Sequence, residues 1–292
     1  MHIKERVAMK TIVITGVTSG IGLALTRHFV TKGEKVIGIA RNEQSLQALK
    51  TELEVNHASS LFSYIVCDLS RFSDMKQTVM RLHSEQAAGI DVLINNAAIV
   101  PKKKHITLDG FELQFQVNHL APAYFITHLK SLVDKKKGTI ITTASNAHKR
   151  AKYDPNDLQA TRKRYLSIRS YMRTKLYNIL YTDACREYDA TQNVRYVAVH
   201  PGLVKTPIGT KDTSKFYAAM WKFFTRRGIE PEAAVATYDL LVYDDSLNDL
   251  YYYKSRAHTP SQAALERQNR VHLYEKTSQL LAPFNAEKKP SS

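Results

Sequence analysis

Residues 10–22 read KTIVITGVTSGIG, an apolar β-branched run that leads directly into a glycine-rich turn. The run predicts a buried strand over residues 10–15, and residues 20–32 predict the helix that follows it. Glycines let the backbone of such a turn approach a pyrophosphate, and free N–H groups at the start of the helix point at that anion. A glycine turn without a ligand is the alternative. We favour a dinucleotide-binding loop and assign its contacts to Gly16, Thr18, Ser19, Gly20, Ile21 and Gly22.

Strands and helices alternate in the same way along the rest of the chain. Further strands are predicted at residues 35–40, 61–67, 91–95, 138–143 and 194–199, and helices at residues 43–55, 73–87, 111–132 and 165–188. Pro122 implies an interruption of the helix that contains it. This rhythm predicts an α/β fold, with a doubly wound, mostly parallel sheet of the Rossmann type, about seven strands, and helices on both faces.

Length, composition and charge predict how many domains the chain has and which kinds of partner it does not bind. We expect one domain over residues 1–292, with its core over residues 10–283 and a polar tail over residues 285–292. No apolar stretch approaches the roughly 18 to 20 residues of a membrane span. The two cysteines are far apart and the histidines are scattered, so we expect a cytoplasmic protein without disulfides or a metal site. The lysines and arginines behind the net charge of +15 are spread along the chain, and three of their four local runs lie in predicted loops, which favours solvated charge over a nucleic-acid partner.

The residue after the second strand favours NADP(H) over NAD(H) as the cofactor. An acidic residue there would bind the ribose 2′-hydroxyl of NAD, whereas Arg41 suits the 2′-phosphate of NADP. Ser19 and Asn42 could add hydrogen bonds to that phosphate. An exposed arginine at the start of a helix is the alternative interpretation of Arg41.

Two further strands end in residues that suit the adenosine half of the cofactor. Asp68 and Leu69 follow the third strand, and Asp68 could accept a hydrogen bond from the adenine amino group. Asn95, Asn96 and Ala97 end the fourth strand, where small residues let the backbone crowd the adenine ribose.

Tyr171 and Lys175 stand four residues apart in a predicted helix, so their side chains share one face. A nearby ammonium favours the phenolate and lowers the tyrosine pKa, which gives an acid/base group usable near neutral pH. In a chain with 16 tyrosines such a pair also arises by chance, and an exposed helix pair is the alternative. Ser145 after the fifth strand and Asn118 inside the preceding helix are expected to converge on the pair at the strand ends.

In this order, these motifs resemble the short-chain dehydrogenase/reductase superfamily over roughly residues 10–210. The resemblance rests on the glycine motif at residues 15–22, the run at residues 95–98, Asn118, Ser145, Tyr171 with Lys175, and Pro201 with Gly202. It implies an oxidoreductase that moves a hydride between NADP(H) and an alcohol or carbonyl carbon.

The resemblance also implies a role for each polar residue of the site. Tyr171 would be the proton donor or acceptor, and Lys175 would hold the nicotinamide ribose and lower the Tyr171 pKa. Ser145 would orient the substrate oxygen, and Asn118 would hold a water of the proton relay. The segment from Pro201 would close over the nicotinamide through contacts at Pro201, Gly202, Val204 and Thr206.

Two departures from the superfamily pattern point to a branch within it. Ala98 replaces the usual glycine, and Tyr171 stands 26 positions after Ser145, a longer spacing than is usual. The longer spacing, His148, and residues 117–120, 199–202 and 260–280 resemble the retinol-dehydrogenase-like branch. We interpret His148 as structural, and the branch does not by itself imply a retinoid substrate.

Residues 203–228 are rich in aromatic side chains, among them Trp221 and Phe224. By analogy with the superfamily this segment would cover the substrate pocket as a lid, which favours an apolar alcohol or carbonyl substrate and excludes water. Core packing is a second interpretation. Peripheral contact of residues 221–227 with an anionic membrane is a third.

An alternative function is a non-catalytic NADP(H) sensor or partner-binding protein on the same scaffold. A sensor has no need of all four polar residues of the site, so their joint presence favours the enzyme. The resemblance also allows a homo-oligomer, since related proteins often form dimers or tetramers.

Overall fold

The computed structural model describes residues 8–55, 59–160, 164–204 and 230–285. Within them the chain forms one eight-stranded sheet in the order β3–β2–β1–β4–β5–β6–β7–β8. The strands are β1 Thr11–Thr15, β2 Lys35–Ala40, β3 Phe62–Val66, β4 Val92–Asn95, β5 Thr139–Thr143, β6 Arg195–His200, β7 Tyr251–Tyr253 and β8 Arg256–Ala257. All neighbours are parallel except β7 and β8. The doubly wound, mostly parallel sheet is therefore confirmed, with β8 as one strand more than predicted.

Helices connect the strands and cover both faces of the sheet. In the described residues they are α1 Gly20–Thr31, α2 Glu43–Val55, α3 Phe72–Glu85, α4 Leu113–Phe115, α5 Ala121–Asp134, α6 Ser167–Tyr188, α7 Pro231–Tyr243, α8 Gln262–Leu265 and α9 Arg267–Asn285. Short 3₁₀ turns lie at Ser59–Leu61 and Asn146–Arg150. None of these helices is long and apolar enough to cross a membrane.

Alternate residues of the central strands enter two separate cores. Ile12 and Ile14 of β1 pack in the layer that includes α1, α2 and α7, whereas Val13 packs in the layer that includes α3, α5, α6 and α9. The strand order reverses between β1 and β4. In open α/β sheets this switch point opens a crevice at the carboxyl ends of the strands, where ligands bind.

The structure differs from the sequence-based prediction at three places. Residues 251–253 lie outside every predicted strand but form β7, because they pair with residues 198–200 of β6. Asn285, the first residue of the predicted polar tail, is the last residue of α9, and its side chain bonds His128. The long helix carrying Tyr171 begins at Ser167 rather than Tyr165.

The predicted interruption near Pro122 is present, and it lies in the turn directly before the proline. Pro122 itself occupies the first turn of α5, which continues from that irregular turn. The irregular part precedes it as a π-turn over Gln116–Leu120. Such turns are frequent at functional sites, and this one carries Asn118.

Candidate active site

The turn between β1 and α1 has the backbone that a dinucleotide phosphate requires. Gly16 and Gly20 adopt φ angles of 78° and 55°, which residues other than glycine rarely adopt. A Cβ on Gly22 would lie 2.1 Å from the carbonyl oxygen of Gly16. Ser19 precedes α1 without a side-chain cap, and the first turn of α1 holds no acidic residue. The N–H groups of this turn are thus left for an anion, and the loop fits a pyrophosphate.

Thr15 holds the end of β4 against this loop. Its Oγ1 accepts hydrogen bonds from the backbone N–H groups of Asn96, at 2.9 Å, and Ala97, at 3.0 Å. The Asn96 side chain donates to the Thr15 carbonyl at 3.0 Å. A Cβ on Gly16 would meet the Ala97 Cα at 3.0 Å, so the two segments need small residues here.

The residues expected around the adenosine lie at the ends of β2 and β3. Arg41 is exposed and makes no side-chain hydrogen bond or ion pair within the described part of the chain. The Oδ1 of Asn42 caps α2 by accepting from the Ser45 N–H at 2.7 Å, which leaves its amide Nδ2 as a donor. The Oδ1 of Asp68 accepts two hydrogen bonds from Ser70, while Leu69 packs partly buried against the core.

Tyr171 and Lys175 lie side by side on α6 and are both buried, so the exposed-pair interpretation is wrong. The Lys175 Nζ is 5.6 Å from the centre of the Tyr171 ring and donates to the carbonyl oxygen of Thr143 at 2.8 Å. Because Thr143 ends β5, this bond ties the catalytic helix to the carboxyl edge of the sheet.

The titration of this pair differs from the sequence-based expectation. Burial raises the pKa of Tyr171 to about 12, and its hydrogen bond with the Ser145 side chain works in the opposite direction. Burial lowers the pKa of Lys175 to about 7. Removal from water is thus the largest influence on both pKa values, and the Tyr171 pKa is raised where the sequence-based argument expected it to be lowered.

Ser145 is held by the turn that follows β5. It begins the 3₁₀ turn Asn146–Arg150, and its Oγ accepts from the Ala147 N–H at 3.2 Å. The fully buried His148 spans from the Ser145 carbonyl, 2.7 Å from its Nδ1, to the Ser261 N–H, 3.0 Å from its Nε2. With a carbonyl at one nitrogen and an N–H at the other, His148 is neutral and fixes the loop of Ser145, as a structural residue would.

Asn118 lies in the buried π-turn, and its side chain forms hydrogen bonds with the segment after β4. Its Oδ1 accepts from the Ile99 N–H at 2.8 Å, and its Nδ2 donates to the Ile99 carbonyl at 3.0 Å. A weaker contact of 3.4 Å joins Nδ2 to the Thr174 hydroxyl on α6. The side chain of Asn118 therefore joins α6 to the loop that leaves the sheet beside the glycine turn.

The remaining residues predicted near the nicotinamide follow β6. Gly202 has a φ angle of 97° and its N–H contacts the Nδ1 of His200 at 3.4 Å. Pro201 is half-buried and Val204 is buried. Thr206 and residues 205–228 of the predicted lid lie outside the described residues, as do residues 286–292 of the tail.

Three residues of this region did not emerge from the sequence. The Asn178 Nδ2 donates to the Thr143 carbonyl at 3.2 Å, beside the bond from Lys175. Tyr238 of α7 contacts the Thr143 hydroxyl at 2.9 Å. Asn178 follows Tyr171 by seven residues, a spacing that places both on one helix face and could have revealed it. Nothing local in the sequence marks Thr143 or Tyr238.

A Rossmann-type sheet with a phosphate-binding turn and a buried Tyr–Lys pair defines a nucleotide-dependent oxidoreductase scaffold. The sequence profile of the short chain dehydrogenase family matches residues 10–216, and the chain belongs to that family.

Comparison with individual proteins shows which members of the family this chain is similar to. A Streptomyces protein provisionally named a daunorubicin C-13 ketoreductase is 31% identical over 71% of this chain and 70% of its own length. Retinol dehydrogenase 12 of Mus musculus is 30% identical over 74% of this chain and 67% of its own. The crystal structure of an alcohol dehydrogenase from Thermococcus sibiricus, complexed with 5-hydroxy-NADP, superposes with a TM-score of 0.64 at 20% identity. It covers 86% of this chain and 100% of that one and shares its fold. Retinol dehydrogenases are thus among the relatives of this chain, as the branch motifs predicted.

Proposed function

We propose that this protein transfers a hydride between NADP(H) and the alcohol or carbonyl carbon of a lipophilic substrate, with Tyr171 as general acid/base. One observation carries the proposal. The buried Tyr171 and Lys175 lie together at the carboxyl edge of the sheet onto which the glycine turn also opens, where Lys175 donates to Thr143 and Ser145 is near enough to influence the Tyr171 pKa.

The cofactor, when bound, supplies or accepts the hydride. The loop over residues 16–22, Arg41, Asp68 and the end of β4 would hold its adenosine half and phosphates, and Lys175 and the segment from Pro201 would hold the nicotinamide half. In reduction, the substrate carbon gains a hydride and its oxygen takes the phenolic proton of Tyr171. Ser145 orients that oxygen, and the phenolate left behind lies beside Lys175.

The raised pKa of Tyr171 supports carbonyl reduction near neutral pH. A phenol with a pKa of about 12 is protonated at pH 7 and can donate. Alcohol oxidation needs the phenolate, which increases as the pH rises towards that value. We therefore propose that reduction proceeds at neutral pH without a prior change in the protonation of Tyr171 and that the rate of oxidation increases with pH.

Two features support the proposed cofactor and substrate class. Arg41 is exposed beside the glycine turn without a partner among the described residues, so its guanidinium is available for a 2′-phosphate. The aromatic composition of residues 203–228 favours an apolar substrate.

The test is a titration of the purified protein with NADPH and NADH, followed by turnover of a panel of lipophilic aldehydes and ketones. We expect tighter binding of NADPH and turnover of at least one carbonyl compound. NADPH binding without turnover across the panel would favour the sensor. Failure to bind either nucleotide would refute the cofactor assignment.

A further inference from the structure

Glu112 is a fully buried carboxylate outside the set of polar residues discussed above. Its Oε1 accepts from the Gln114 N–H at 3.0 Å and the Tyr165 hydroxyl at 2.9 Å. Its Oε2 accepts from the Phe115 N–H at 2.9 Å and the Ser170 hydroxyl at 3.1 Å. All four partners are donors, as a carboxylate requires, and no lysine or arginine of the described residues forms an ion pair with it.

These four bonds join the two elements that carry the candidate catalytic groups. The N–H donors belong to α4, which runs directly into the π-turn with Asn118. The hydroxyl donors lie on the other side: Tyr165 stands two residues before α6, and Ser170 in the first turn of α6 immediately precedes Tyr171. Each oxygen of Glu112 takes one bond from each side, so both oxygens bridge the gap between α4 and the start of α6.

The long spacing between Ser145 and Tyr171 adds hydrogen bonds around Glu112, to its backbone and to its neighbour Gln114. Gln159, in the middle of that spacing, accepts from the Glu112 N–H at 2.8 Å. Tyr165, at its end, also accepts from the Gln114 side chain at 2.7 Å. The extra chain length thus closes a polar network around Glu112 beside the start of α6.

We propose that Glu112 is a positioning residue that fixes Tyr171 relative to Asn118 for proton transfer. The inference rests on the proposed function, because it assigns Glu112 to the same site. A carboxylate is needed, since an amide in its place would turn N–H groups towards the N–H of Gln114 or Phe115, and neither can accept. One bridge would then open, and the start of α6 would lose its fixed distance from the π-turn.

Glu34 offers a matched control at the opposite edge of the sheet. It is also buried, and it accepts a backbone N–H from Lys10 and the hydroxyl of Tyr243. Glu34→Gln removes the same chemistry far from Tyr171. A merely structural role for Glu112 predicts that the two substitutions have the same effect on activity.

The kinetic test compares Glu112→Gln with Glu34→Gln, using NADPH and the best carbonyl compound of the panel. We expect kcat to fall about 10- to 100-fold in Glu112→Gln, because small misplacements of a reacting group cost rate on that scale. The KM for NADPH should stay near the wild-type value, and Glu34→Gln should keep kcat within about twofold. Equal kcat values for the two variants would overturn the proposal while leaving the proposed function intact.

A second readout needs no substrate. In protein labelled with ¹³C at the tyrosine ζ carbon, the Tyr171 resonance is assigned by its absence in Tyr171→Phe. We expect Glu112→Gln to shift this resonance and its titration midpoint, and Glu34→Gln to leave both unchanged. An unmoved resonance in folded Glu112→Gln would refute the positioning role even if no carbonyl compound were turned over. Should Glu112→Gln not fold, Ser170→Ala removes one bridge alone and must shift the same resonance.

Discussion

The polar side chains at the two edges of the sheet differ in whether they have hydrogen-bond partners. At the amino edge, the buried Glu34 accepts from the N–H of Lys10 just before β1, and the half-buried Asp91 accepts from the Thr11 N–H at 2.8 Å. At the carboxyl end of β4 and β5, and on α6 above them, both polar atoms of Asn95, the hydroxyl of Thr142 and the Oδ1 of Asn178 lack partners among the described residues. Polar atoms at this end thus keep hydrogen-bonding capacity that their counterparts at the amino edge have already used.

This difference shows how one sheet separates stability from function. Side chains at the amino edge close the structure, and substitutions there should lower the free energy of unfolding without changing the site. Glycines and polar side chains at the carboxyl edge leave room and hydrogen-bonding capacity for ligands, as the switch point of such sheets requires. Paired substitutions of the same type at the two edges test the separation.

The largest effect is expected for the tyrosine pair Tyr171→Phe and Tyr243→Phe. Loss of a general acid costs about 10²- to 10⁴-fold in rate, so kcat of Tyr171→Phe should fall within that range while the Kd for NADPH is retained. Tyr243 donates to Glu34 at the amino edge, and Tyr243→Phe should keep kcat. Steady-state kinetics and nucleotide titration measure both. Unchanged turnover in Tyr171→Phe would exclude it as the acid/base.

A glycine pair should give the next largest effect. The Cβ of Gly22→Ala would meet the Gly16 carbonyl at 2.1 Å and distort the phosphate turn, so we expect the Kd for NADPH to rise about 100-fold. Gly33 lies at the amino edge with a φ angle of 88° and open space around it. Gly33→Ala should cost about 1 kcal/mol of stability through its backbone and leave the Kd unchanged. Equal Kd values for the two variants would contradict the phosphate site.

An arginine pair tests the choice of cofactor. Hydrogen bonds to charged groups contribute about 1.5–3 kcal/mol, so Arg41→Ala should weaken NADPH binding about 10- to 100-fold and leave NADH binding unchanged. Arg71 is also exposed and lies after β3. Arg71→Ala should keep the ratio of the two Kd values. If Arg41→Ala weakens the binding of NADPH and NADH equally, the arginine does not bind the 2′-phosphate.

Local sequence determines most of the fold because each element carries its own signal. The β-branched run of β1 and the glycine turn after it predicted the strand, the helix and the position of the crevice. Residues 251–253 gave only a weak signal, since tyrosine favours strands but a run of three residues is too short to show a strand pattern. Residues 251–253 form a strand because they pair with β6 in the folded chain, and local sequence does not report such a tertiary contact.

The candidate site was predictable in its members but only partly in its electrostatics. The spacing of Tyr171 and Lys175 placed them together, and the structure does bring them together. The pKa values depend on burial by residues distant in the sequence, which no local pattern reports. Glu112 was missed for the same reason, because its partners at residues 165 and 170 reach it only through the folded chain.

The smallest effect is expected from a histidine at the carboxyl edge as the pH falls. Burial, helped by His148, Lys149 and His258, lowers the pKa of His200 to about 3 from an ordinary value of 6.5. Between these pH values His200 binds a proton in the unfolded chain but not in the folded protein. The free energy of unfolding therefore decreases as the pH falls below 6.5.

One pH unit inside that window corresponds to about 1.4 kcal/mol, or tenfold in the unfolding equilibrium. Urea denaturation at pH 7 and pH 5.5 should therefore show a smaller loss of stability in His200→Gln than in the wild type, by about that amount. His83→Gln, an exposed change on α3, should keep the wild-type loss. If His200→Gln and the wild type lose the same free energy over this range, then His200 takes up its proton without opening the stack it forms on Tyr253, and the carboxyl edge is more tolerant of charge than its burial implies.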